Sequence, residues 1–297
     1  MSNRREFLTA GAALALGARS RAADAALVVD THLHCFAGRD DARFPYHKDG
    51  PYRPDAAATP EHLLKCMVDA GVDRAIVVHP EPYQDDHRYL EHCLAVGKEK
   101  LKGTCLFFPE RHDSPKRLRE LAKRVPLVAA RIHAYNPDRL PAFEKPEFGT
   151  YWKAVGDLGL AIQLHFEPRY AAGFTKWIAD HPAITVLVDH LGRPFQGTAK
   201  EHATVLGWSK YRNVLVKLSS VPDRSKYPHR DPGPVIRQLT DAFGAERLMY
   251  GGGFDASATG ASYRSERERI AGFLGQMTAA ERAKIFGGTA AKLFKLS

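Results

Sequence analysis

Two histidines separated by one residue stand directly after a short apolar stretch near the N-terminus. The stretch 27–29 leads into the sequence DTHLH at 30–34. Its β-branched residues predict a strand, and alternate side chains of a strand share one face. His32 and His34 are therefore expected on the same side, about 6 to 7 Å apart by Cα rise. Two imidazoles so placed can hold one divalent ion, while Asp30 orients one of them through a hydrogen bond.

Other apolar stretches also end in side chains that can do acid–base or polar chemistry. Five of the eight predicted strands end in histidine. Packing alone does not explain this pattern, because a buried imidazole needs hydrogen-bond partners. The strand-end residues after the first strand are His79, Arg131 with His133, His165, Asp189 with His190, Lys217 with Ser219, and Asp255 shortly after the eighth strand.

The elements that position these side chains alternate regularly along the chain. Eight short apolar stretches alternate with helical patterns, and no break in composition separates them. Near-continuous apolar strands are expected when both faces of a parallel sheet are buried. The sequence therefore predicts an α/β fold, a (β/α)8 TIM barrel whose strand ends converge on one mouth. An open doubly wound sheet is the alternative, although no Gly-x-Gly-x-x-Gly follows the first strand.

The first 25 residues have the pattern of an export signal. Arg4 and Arg5 precede the weakly apolar run 9–17, and small residues follow, as in a twin-arginine signal. The run is too short for a stable membrane anchor. We therefore expect an export signal at 1–25, one barrel domain at 26–297 and a periplasmic location. An amphipathic cytosolic helix is the alternative.

Charge and cysteine content restrict the partners. Of the formal net charge of +9, four arginines and one glutamate in residues 1–22 contribute +3. The remaining basic residues are scattered among acids without interleaved aromatics, so nucleic acid is not expected. A modest positive electrostatic field favours a small anionic substrate.

The four cysteines form no CxxC motif, and the sequence leaves their pairing open. Assembly as a homodimer also stays open.

Four segments resemble the amidohydrolase superfamily in motif and in order. They are DTHLH at 30–34, QLH at 163–165, VDHLGRP at 188–194 and IFGGTAAKLF at 285–294. The chain is most similar to a branch that contains aldono-, muconolactone- and pyrone-dicarboxylate lactonases and related decarboxylases. The resemblance covers residues 26–296 and itself implies a (β/α)8 TIM barrel of the metal-dependent hydrolase type and a bound divalent metal ion, with zinc the expected one.

The resemblance also implies roles for single residues. It makes His190 the group that polarises the substrate and Arg131 a contact for a substrate carboxylate. The family's eighth-strand aspartate, which serves as base and often as metal ligand, falls on Gly253, which has no side chain. The triple glycine could form a bulge that brings Asp255 into the site, and a simple loop carboxylate is the other interpretation. The implied metal ligands are His32, His34 and His165.

Together these patterns predict a metal-dependent hydrolase that opens a lactone or similar cyclic ester of a small anionic compound. Asp255 is expected to take the proton of the attacking water, while His190 polarises the carbonyl group. The alternatives are a metal-independent lactonase of the same fold, a decarboxylase of an unsaturated or aromatic acid, and a non-catalytic exported binding protein. The predicted substrate contacts are Arg131, His133, His79, Lys217 and Arg193.

Overall fold

Eight parallel strands form the centre of the computed structural model, which describes residues 27–135 and 140–296. Each strand pairs with the next along the chain. The first and last strands also meet, because the Thr31 hydroxyl donates to the carbonyl of Tyr250 at 2.7 Å. The predicted (β/α)8 barrel is therefore confirmed. The strands are β1 Val29–Leu33, β2 Arg74–Val78, β3 Leu101–Leu106, β4 Leu127–Ala134, β5 Ala161–Phe166, β6 Val186–Val188, β7 Val214–Leu218 and β8 Leu248–Tyr250.

A helix follows each strand and packs on the outside of the sheet. Local signals set the helix ends: the Thr59 side chain accepts a hydrogen bond from the His62 N–H, and Pro60 begins the first helix. The helices are α1 Pro60–Ala70, α2 Arg88–Gly97, α3 Ser114–Arg124, α4 Pro146–Asp157, α5 Ala171–Asp180, α6 Ala199–Gly207, α7 Pro232–Phe243, α8 Gly260–Gly272, α9 Ala279–Ala283 and α10 Thr289–Phe294.

The interior of the barrel changes from apolar to polar along its axis. Its lower part is an apolar cluster of strand residues such as Val29, Leu187 and Met249, against which Ala290 and Phe294 of α10 pack. Polar and charged side chains from β4 to β7 are buried above this cluster. The apolar layer is a rigid, dry support for the polar groups at the carboxyl ends of the strands.

Two sequence predictions concern parts of the chain away from the barrel mouth. The export signal at 1–25 lies outside the described residues. Among the described helices, none has the length and hydrophobicity needed to cross a membrane. All four cysteines are buried and unpaired.

Candidate active site

The carboxyl ends of the strands surround a cavity of about 1190 Å³. Histidines from three strands line it and lie in a chain of ring contacts. The ring centres of His32 and His34 are 5.2 Å apart, and those of His32 and His190 are 4.4 Å apart. His165 follows at 5.1 Å from His190. The structure thus brings together the histidines predicted from the ends of β1, β5 and β6.

A buried carboxylate beneath these rings connects the site to the barrel interior. Asp189 Oδ2 accepts hydrogen bonds from Arg131 Nε at 3.0 Å and Gln163 Nε2 at 3.1 Å. Its Oδ1 lies 3.2 Å from His32 Nδ1 and 3.7 Å from Lys217 Nζ. Burial alone would raise the pKa of Asp189, but His32, Arg131 and Lys217 around the carboxylate outweigh burial and hold this pKa well below its ordinary value. Asp189 is therefore ionised at neutral pH.

Lys217 lies below Asp189 and is fully buried. Its ammonium group donates to Gln163 Oε1 at 2.7 Å and to the Thr31 carbonyl at 2.9 Å. Burial lowers the pKa of Lys217 to about 8, so the side chain remains mostly charged at neutral pH. Lys217 is not among the residues that line the cavity. In this structure Lys217 is a buried counter-ion of Asp189 that does not reach the cavity, and its role as a substrate contact stays a prediction.

Hydrogen bonds fix the tautomers of the two histidines from β1. The Val78 carbonyl can only accept, so His34 Nδ1 carries the hydrogen in their 2.7 Å contact. Ionised Asp189 likewise accepts from His32 Nδ1. Burial lowers the pKa of His34 to about 4 and that of His32 well below its ordinary value. Both rings are neutral, and the Nε2 lone pair of His32 is buried with no hydrogen-bond partner among the described residues.

Two arginines flank the ring of His165. Arg131 Nη2 contacts its Nδ1, and Arg193 Nη1 lies 3.2 Å from its Nε2. A guanidinium group only donates, so both ring nitrogens of His165 face N–H groups. Burial and the positive charge of Arg131 lower the pKa of His165 well below its ordinary value. Arg193 lines the cavity, and within the described part of the chain no carboxylate lies at ion-pair distance from it.

These contacts do not fit His165 as a metal ligand, whereas the Nδ1–H tautomers of His32 and His34 leave their Nε2 lone pairs free to ligate. A ligating nitrogen must direct its lone pair at the ion, whereas both nitrogens of His165 face guanidinium groups. Among the described residues, the group of three potential ligands whose atoms lie within 4.8 Å of one another is His32, Asp189 and His190. Asp189 is already surrounded by hydrogen-bond donors and by two cationic side chains. The residues present therefore favour an anion over a divalent cation at this position.

The eighth-strand loop differs from the expectation for a catalytic aspartate. Asp255 is exposed at the rim of the cavity, where its Oδ1 accepts from the backbone N–H of Ser257 at 2.7 Å and from its hydroxyl at 2.8 Å. The Gly252 N–H donates to Asp30 at 2.9 Å, and this hydrogen bond fixes the loop after β8 against β1. The predicted bulge does not bring Asp255 to the histidines.

Gly253 occupies the position of the family's aspartate and cannot easily accept a side chain. Its φ is +113°, and an added Cβ would lie 2.8 Å from Cδ2 of Tyr263. The Tyr263 hydroxyl in turn donates to Asp30 Oδ2 at 2.5 Å. This hydrogen bond fixes the aromatic ring in the space that a side chain at 253 would need.

We expect Gly253→Ala to lower the free energy of unfolding by about 2–4 kcal/mol, combining a left-handed backbone with overpacking. Gly252→Ala is the matched control, because Gly252 also has φ +113° but open space around the added Cβ. Urea unfolding of both variants measures the difference. Equal losses in the two variants would show that the Tyr263 ring is not the obstacle.

Two further predicted contacts lie in the wall behind the cavity. His79 donates from Nε2 to the Gln84 carbonyl at 2.9 Å, and its ring lies 4.3 Å from that of His87. His133 Nδ1 lies 3.0 Å from Glu81 Oε1. His79, His133 and Arg131 are buried and are not among the lining residues. In this structure they support the site from behind and do not reach the cavity.

Sequence reasoning does not assign the roles of several residues that organise the site. Asp189 and Ser219 are among the strand-end residues but receive no role, although an aspartate at a buried strand end is itself a signal of a charged partner. Gln163 enters only within a family motif, because it lies in the middle of β5. Tyr263 lies on α8 and carries no such signal, because only the fold brings it to Asp30.

Comparison with known proteins agrees with this architecture. A family model described as amidohydrolase matches residues 29–296. An L-fucono-1,5-lactonase of Burkholderia ambifaria is 25% identical over 291 residues, which cover 90% of this chain and 95% of that protein. A 4-sulfomuconolactone hydrolase of Hydrogenophaga intermedia is 23% identical over 228 residues, covering 75% of this chain and 72% of that protein.

A solved structure has the same fold. It is an amidohydrolase of Burkholderia multivorans with bound zinc, and it superposes with a TM-score of 0.67 at 20% identity. The match covers 92% of this chain and all of the other. The family model spans nearly the whole described barrel, and the chain therefore belongs to the amidohydrolase family and is a hydrolase.

Proposed function

We propose that this hydrolase opens a lactone or a similar cyclic ester of a small anionic compound, using fixed cations and neutral imidazoles. The main support for the proposal is the excess of positive charge at the cavity floor. Within the described residues, the charged side chains that contact Asp189 or His165 are three cations, Arg131, Arg193 and Lys217, against the one carboxylate. With the histidines neutral, this surplus of positive charge attracts an anionic substrate and stabilises negative charge that develops on it.

The curated relatives support the same reaction class. Both act on lactones according to their names, and one name includes a sulfo group, which is an anionic substituent. Identity of 25% or less leaves the substrate itself as part of the proposal. An anionic group on the substrate would bind Arg193, which lines the cavity without a carboxylate partner in the described structure.

Ring opening needs a water molecule, a proton acceptor and a polarised carbonyl group. The water oxygen attacks the carbonyl carbon, and one water proton passes to the lone pair on His32 Nε2. The carbonyl oxygen becomes an oxyanion, stabilised by His190 and by the positive field of the arginines. The ring C–O bond then breaks, and the leaving alkoxide takes the proton from His32. The product is the hydroxy acid, and the histidine returns to its neutral form.

An anionic substrate would also make His32 a better base. Burial lowers the pKa of His32, and the charge of Lys217 contributes to this shift. A bound anion opposes that positive field and therefore raises the pKa of the histidine in the complex. Proton transfer is then favoured only after the substrate has entered.

The amidohydrolase superfamily typically binds a divalent metal ion, and the family resemblance implies one here, but the proposed reaction does not require it. The ligand set inferred from the resemblance lacks the eighth-strand carboxylate, and His165 is engaged by two arginines. The proposed reaction therefore has no step on a metal ion. A periplasmic location is likewise a proposal, supported only by the sequence of residues 1–25.

A panel of aldonolactones and muconolactones, with the release of acid recorded by a pH indicator, tests the proposed activity. We expect turnover of the anionic lactones, less than one metal ion per chain by elemental analysis, and unchanged rates after treatment with a chelator.

Three other outcomes would each contradict a part of the proposal. Loss of activity with the chelator and its recovery with zinc would establish the metal-dependent reaction. Evolution of CO₂ from unsaturated acids would identify a decarboxylase. Ligand-induced thermal stabilisation without any turnover would favour a binding protein.

A further inference from the structure

Four consecutive residues after β6 have a left-handed backbone. The φ angles are 54° for His190, 61° for Leu191, 74° for Gly192 and 56° for Arg193. Left-handed conformations are disfavoured for residues with a Cβ, so surrounding contacts must maintain such a run. The turn places the side chains of His190 and Arg193 in the same cavity.

Ser219, at the end of β7, is the residue that holds the start of this turn. Its Oγ accepts a hydrogen bond from the backbone N–H of His190 at 3.2 Å. The same oxygen lies 3.0 Å from His190 Nδ1. The serine is almost completely buried, with 1% of its surface exposed, so its hydroxyl hydrogen needs an acceptor inside the protein.

The hydroxyl hydrogen of Ser219 has one acceptor in the described structure. The hydrogen-bond partners of Ser219 Oγ there are the N–H and the Nδ1 of His190. Since the N–H can only donate, Nδ1 is the acceptor for the hydroxyl. A neutral imidazole that accepts at Nδ1 carries its own hydrogen at Nε2.

We propose that Ser219 is a positioning residue that fixes His190 as the Nε2–H tautomer, so that its ring donates a hydrogen bond to the substrate's carbonyl oxygen. The role toward the carbonyl rests on the proposed function, while the tautomer rests only on the contacts of Ser219. His32, whose ring centre is 4.4 Å away, has the opposite tautomer with a lone pair at Nε2. Adjacent rings then present one acceptor and one donor toward the reacting groups.

The contact with Ser219 also decides which ring nitrogen can serve the substrate. Nδ1 of His190 is occupied by the Ser219 hydroxyl, and the ring lines the cavity. In the neutral ring, Nε2–H is then the group that can donate toward the substrate.

Nitrogen NMR of the full-length protein labelled with ¹⁵N-histidine tests the tautomer directly, because protonated and unprotonated ring nitrogens resonate far apart. His190→Gln identifies the signals of His190. We expect the wild-type signal to show hydrogen at Nε2, and Ser219→Ala to shift the population toward Nδ1–H. A wild-type ring with its hydrogen at Nδ1 would overturn the proposal.

Kinetics on the best lactone of the panel provide the second readout. We expect Ser219→Ala to lower kcat by about 10- to 100-fold with little change in KM, as for other residues that orient a functional histidine. Ser219→Thr keeps the hydroxyl and should restore most of the rate. Ser114→Ala is the matched control, since it removes another buried serine hydroxyl, which donates to the Phe108 carbonyl at 2.7 Å away from the cavity.

The two proposals can fail separately. If Ser219→Ala does not fold, the wild-type spectrum and the Ser219→Thr variant still decide the tautomer. An unchanged kcat in folded Ser219→Ala would overturn the positioning role. A wild-type Nε2–H tautomer without turnover of any lactone would refute the proposed function and leave the assignment of the tautomer intact.

Discussion

Asp189→Asn should lower the free energy of unfolding by about 3–5 kcal/mol, because it removes the partner of buried cations. The carboxylate lies 3.0 Å from Arg131 Nη2 and 3.7 Å from Lys217 Nζ, and all three side chains are at most 3% exposed. An asparagine presents one oxygen and an NH₂ group to the same set of donors, so at least one charge loses its partner. Urea unfolding at pH 7 measures the loss.

Asp255→Asn is the matched control for this variant. Asp255 lines the same cavity, but it is exposed and accepts hydrogen bonds only from Ser257 among the described residues. We expect its replacement to change stability by less than about 1 kcal/mol. Equal effects of the two substitutions would mean that Asp189 is not the central counter-ion of the site.

The effect of Asp189→Asn should depend on pH in a defined direction. The folded-state pKa of Asp189 lies well below its ordinary value of 3.8. A carboxyl group with a depressed pKa stabilises the fold above the unfolded-state pKa, and this contribution is lost as pH falls through the folded-state pKa. The stability difference between wild type and Asp189→Asn should therefore be full above about pH 5 and shrink in stronger acid.

The barrel and the meeting of its histidines could be predicted because they depend on local patterns. Apolar strands that alternate with helices close in one way, and a residue at a strand end then lies at the common mouth. That rule is sufficient for His32, His165 and His190. It carries no information on what each side chain contacts once it is there.

The remaining features of the site depend on contacts between distant parts of the chain. The partners of Asp189 come from β1, β4, β5 and β7, so its role follows from the register of several strands. The position of Asp255 depends on the loop after β8, which Asp30 and Tyr263 hold from β1 and α8. The sequence left two interpretations open for Asp255, a bulge into the site and a simple loop carboxylate, because local pattern does not contain these hydrogen bonds.

His32→Asn should lower kcat by about 10²- to 10⁴-fold, the usual contribution of a general base. The asparagine NH₂ group can replace Nδ1 as the donor to Asp189, while no atom replaces the lone pair at Nε2. The substitution therefore removes the proton acceptor while it keeps the hydrogen bond to Asp189. Thermal unfolding of the variant checks that the barrel is intact.

The pH profile of the wild-type enzyme is a second test of His32 as the general base. Burial lowers the pKa of His190 to about 3, and that of His32 well below its ordinary value. Since kcat/KM reports groups of the free enzyme, we expect no loss of kcat/KM from histidine protonation between pH 8 and pH 5.

Asp255→Asn should keep kcat within a few-fold of wild type. If Asp255→Asn instead loses activity and His32→Asn retains it, the loop carboxylate is the base, and the eighth-strand segment must rearrange when substrate binds.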